Sequence, residues 1–76
     1  MVEDVTLNLT RDEAVVLFDW LVRFNADKGR QFEDQAEQRV LWDLEASLES
    51  TLEEALRPDY AQIVAAARSR VRDSAE

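Results

Sequence analysis

Residues 5–24, VTLNLTRDEAVVLFDWLVRF, decide how the chain is read. Val5, Leu7 and Leu9 alternate with Thr6, Asn8 and Thr10, the period-two pattern of a strand with one buried face. Thr10 then opens Thr-Arg-Asp-Glu, a capping box in which the Thr10 hydroxyl and the Glu13 carboxylate satisfy orphan backbone donors reciprocally. From there the apolar residues recur at helical spacing, and a helix over about 11–25 is expected. Its central stripe is Ala14, Leu17, Phe18, Leu21 and Phe24, with Val15 and Val22 on one flank and Trp20 on the other. That arc covers more than half the circumference, whereas one packing partner needs roughly 100°. The helix should therefore meet at least two elements. Either it is the central helix of a small domain, or one side of it is a contact between two copies.

The chain has no second strand candidate. A lone strand exposes unpaired backbone groups and is unstable by itself. Two copies can solve this by pairing antiparallel across a twofold axis, an isologous contact that closes as a homodimer. The alternative is an extended segment lying over the helices of its own chain. The dimer is the favoured expectation, because a 76-residue domain has little core of its own.

Beyond the first helix, Asn25 to Gln31 holds the only glycine, Gly29, and marks the clearest break. Lys28-Gly29-Arg30 lacks the multiple glycines of a phosphate-binding loop. A second helix is expected over about 34–56, with Asp34 as its N-cap and Phe32 packing back as a staple-like residue. Leu41, Leu44, Leu48, Thr51 and Ala55 form its seam, widened by Val40 and Leu52. Trp42 falls outside the seam, so it should be covered by the third helix, by the stem of Arg39, or by a partner. Glu45, Glu49 and Glu53 form an acidic ridge with Asp43 and Glu54 nearby, best read as a solvated face. Arg57-Pro58-Asp59 ends this helix and begins a third over about 59–72. Tyr60, Ile63, Val64, Ala67 and Val71 are its stripe. Arg68, Arg70 and Arg72 complement its C-terminus and could meet the acidic face of the second helix. Residues 1–4 and 73–76 should fray. The expected fold is a single, mainly α domain spanning 1–76, with one short N-terminal strand and three helices.

Composition narrows the function classes. The net charge is −8; residues 1–56 hold five basic and fourteen acidic groups, net −9, and residues 57–76 hold four and three, net +1. An acidic body argues against nucleic acid and against anionic membrane surfaces. The longest uninterrupted apolar run, Ala14–Phe18, is far too short to span a bilayer. No basic stretch followed by an apolar one opens the chain, so a signal peptide is not expected and a cytoplasmic location is. There is no cysteine and no histidine. That removes disulfides, thiolate metal sites, the commonest metal ligand and the commonest general base. No cofactor, no metal and no catalytic residue is expected.

Strand, capping residue and helix together resemble the opening of ribbon-helix-helix regulators over residues 5–24. The resemblance implies paired strands whose outward side chains, here Thr6, Asn8 and Thr10, read bases. This strand carries no Lys or Arg, and Glu3 and Asp4 precede it. The opening is also similar to that of short bacterial proteins with an LxLTxxEAxxLFxWLxRF-type start. It is matched here by Leu7-Asn8-Leu9-Thr10, Glu13-Ala14, Leu17-Phe18 and Trp20-Leu21-Val22-Arg23-Phe24. That similarity implies a fold and no known activity. The expected role is a noncatalytic, self-associating protein-interaction module. Its candidate interface is Val5, Leu7, Leu9, Val15, Trp20, Val22 and Trp42, and a further protein partner is left open. The rivals are a ribbon-helix-helix-like regulator and an acidic, antitoxin-like inhibitor that covers a basic site.

Overall fold

The computed structural model describes residues 3–27 and 32–74, with the side chains of Asp73 and Ser74 excepted. Among the described residues the chain forms three α-helices: α1 (Arg11–Ala26), α2 (Gln35–Thr51) and α3 (Tyr60–Ser74). A 3-10 turn over Glu53–Leu56 joins the last two. The mainly helical fold is as expected. Of the break expected over Asn25 to Gln31, Asn25 and Ala26 complete α1 and Asp27 caps it, while residues 28–31 lie outside the described residues, as does the fraying expected at residues 1, 2, 75 and 76. Asp73 and Ser74, also expected to fray, continue α3.

The local signals of α1 and α2 act as their sequence implies. The Glu13 N–H donates to Thr10 Oγ1 at 3.1 Å, and the Thr10 N–H donates to Glu13 Oε1 at 2.9 Å, closing the capping box. At the start of α2, Asp34 Oδ1 accepts from the Ala36 N–H at 2.7 Å. Glu37 reaches one residue further back than a capping box would, accepting from the Glu33 N–H at 2.9 Å.

α1 packs against both α2 and α3, the two elements its wide arc requires. Val15, Phe18, Leu52, Val64 and Ala67 form the buried cluster, and Leu21 of α1 is buried as well. Val15, a candidate interface residue, is thus a core residue: its flank of α1 is taken by Val64 and Ala67 of α3.

Two expectations change. The second helix does not run to residue 56; it stops at Thr51, and Leu52 turns extended at φ −95°, ψ 111°. The hydroxyls of Ser50 and Thr51 both donate to the Ser47 carbonyl, at 3.0 and 2.9 Å. Such back-bonding competes with the helical ladder and weakens it. The turn swings Leu52 into the core and leaves Leu56 outside. The second change is at the N-terminus. Residues 3–10 have no regular secondary structure within the single chain. A ladder needs a second strand, and none is formed among the described residues. Val5 and Leu7 are 87% and 79% exposed, so neither is packed over the helices of its own chain.

Candidate association surface

The surface that stands out is built on α2 and the C-terminal half of α1. α2 contributes no fully buried side chain, although it carries Val40, Leu41, Trp42, Leu44 and Leu48. One helical seam cannot point five such residues at a single neighbour. Leu41 and Leu48 are half-buried, while Val40, Trp42 and Leu44 stay exposed.

Two grooves result. One, of about 470 Å³, is lined by Phe24, Phe32, Glu37, Val40 and Leu41. Phe24 and Phe32 meet edge to face in it at 5.9 Å and 70°, and Trp20, outside the lining, stacks on Phe24 at 4.6 Å and 28°. Phe32 does pack back onto the domain, as a staple-like residue should. The other groove, of about 460 Å³, is lined by Val22, Asn25, Ala26, Trp42, Glu45, Ala46 and Glu49. Asn25 fixes α1 to α2 there: its Nδ2 donates to Glu45 Oε1 at 2.7 Å and to the Leu41 carbonyl at 3.4 Å. Asn25 Oδ1 is buried without a hydrogen-bond partner.

The charged groups elsewhere hold the helices together. Arg11 makes two bonds to Glu54, at 2.7 and 2.8 Å, clamping the 3-10 turn onto the start of α1. Arg70 makes two bonds to Asp12, at 2.8 and 2.9 Å. Asp19 is a hub: it accepts from the Tyr60 hydroxyl at 2.9 Å, from Arg68 at 3.0 Å and from Arg23 at 3.1 Å. Arg68 and Arg70 therefore meet α1, not the acidic face of α2, because α3 lies alongside α1. The arginine hydrogen bonds hold the Asp12 and Glu54 carboxyls below the usual carboxylate range. Burial, then the bond to Asp19, pushes the Tyr60 hydroxyl above its ordinary value.

The expected interface residues are thus divided. Val22 and Trp42 share one groove, and Trp20 stands beside the other through its stack on Phe24. Trp42 lines its groove opposite residues of α1, with none of α3 in the lining, and remains 44% exposed. Val5, Leu7 and Leu9 precede α1, at the end away from Phe24, and Val15 is in the core. Phe24, Phe32, Val40 and Leu41 were not among the expected contacts. Phe24 and Leu41 read as core stripe, and only the crowding of apolar residues on the second helix signalled an excess. Among the described residues no three carboxylates converge as a metal site would need, and no helix is long and apolar enough to cross a membrane. No protein-family model, curated protein or solved structure matches the chain, so function is argued from this surface alone.

Proposed function

We propose that the protein is a noncatalytic module that works by self-association, as a homodimer with room for a further protein partner. The observation that carries this reading is the apolar surface left uncovered by one chain: Val5, Leu7 and Leu9 on the N-terminal arm, and Trp20, Val40, Trp42 and Leu44 on the helices. Isolated exposed apolar residues are ordinary, but a grouped set marks an interface. In the dimer the two arms pair antiparallel across the twofold, so that each gains the strand partner it lacks alone. Mass measured by light scattering at tens of micromolar tests this. A mass of two chains is expected, and Leu7→Asp, which touches no core residue, returns it to one. A native chain that is monomeric under those conditions ends the proposal.

An acidic inhibitor is the second reading. It rests on Glu49, which rims the Trp42 groove, and on the exposed Asp43 and Glu53 of the same ridge. That groove would suit a basic amphipathic segment. Charge reversal at Glu49 should then abolish capture of the partner and leave the mass of the protein unchanged. A DNA-reading role has less support. Arg11, Arg23, Arg57, Arg68 and Arg70 are each engaged by a carboxylate of the chain.

A further inference from the structure

We draw no further inference here: the strongest candidate, the groove between α1 and α2 where Trp42 stands beside Glu45 and Glu49, carries nothing further, because two carboxylates beside an exposed indole do not define a ligand and nothing in the structure shows what covers them.

Discussion

Leu52→Ala and Leu56→Ala together test the most consequential feature of the fold, the break after Thr51. In an uninterrupted helix, residues four apart share a face, so Leu52 and Leu56 would be buried alike. The break separates them: Leu52 is 3% exposed and Leu56 is 84% exposed. Truncating a buried leucine removes its transfer free energy and leaves a cavity, costing about 2–5 kcal/mol. Leu52 touches the central cluster of Val15, Phe18, Val64 and Ala67, so about 3 kcal/mol is expected. A domain of this length has roughly 4–11 kcal/mol in total, so the variant should lose a large part of its stability. Leu56→Ala should stay within about 0.5 kcal/mol of the native chain, as exposed positions do. Urea unfolding followed by helical circular dichroism at low micromolar concentration reads both. Equal costs at the two positions, or the larger cost at Leu56, would refute the break and restore a straight helix to residue 56.

Other predictions concern the ion pairs and caps. Tyr60 is the only tyrosine, and its folded-state ionisation lies above the unfolded one. Its contribution is therefore complete below about pH 10 and is lost as pH rises beyond that, while the folded hydroxyl is still protonated. Tyr60→Phe should cost about 1 kcal/mol at neutral pH and show a shallower alkaline decline, measured by urea midpoints from pH 8 to 11. The depressed Asp12 and Glu54 carboxyls have the opposite sign: their contribution is present above about pH 4 and disappears as pH falls through the lowered folded values. The double variant Asp12→Asn with Glu54→Gln should lose stability at pH 7 and flatten the acid limb; an acid limb as steep as the native one would contradict the two pairings. Thr10→Ala should cost about 1 kcal/mol through loss of the capping hydroxyl, read from the thermal midpoint.

What could be read from the sequence was local. Thr10 with Glu13, and Asp34 at the start of the second helix, carry their geometry within a few residues, so caps and starts were legible. The wide arc of the first helix correctly required two neighbours. It could not say which neighbour took which flank, and so Val15 was assigned to a free surface when α3 covers it. The end of the second helix was missed because it depends on two hydroxyls converging on the Ser47 carbonyl and on the room the core makes for Leu52. Asp19 lies outside the apolar stripe of the first helix, and nothing near it in sequence announces that Tyr60 and Arg68, far away in the chain, converge on it. Arg68 and Arg70 read as complementing the C-terminus of their own helix, with the acidic face of the second helix, in one chain or between two, as a further option. Proximity, not charge count, gives them to Asp19 and Asp12. The candidate surface was partly legible: Val22 and Trp42, singled out from the sequence, line one groove, whereas Phe24 and Leu41 belonged to stripes that look internal until the helices are placed.

α2 buries none of its side chains fully, and this has a kinetic meaning. Free energy of local opening follows the apolar contact an element would lose. The first turns of α2, held through Leu41, Phe32 and the Asn25 amide, should release their amide protons to solvent by partial opening, well before α1 and α3, which share the buried cluster. Coverage of its exposed residues by a second copy would raise that opening cost and join α2 to the cooperative unit. Protection of the α2 amides would then depend on protein concentration while that of α1 did not. In such a molecule the second helix finishes folding when it associates, and its rate of hydrogen exchange is a direct gauge of how much of the protein is paired.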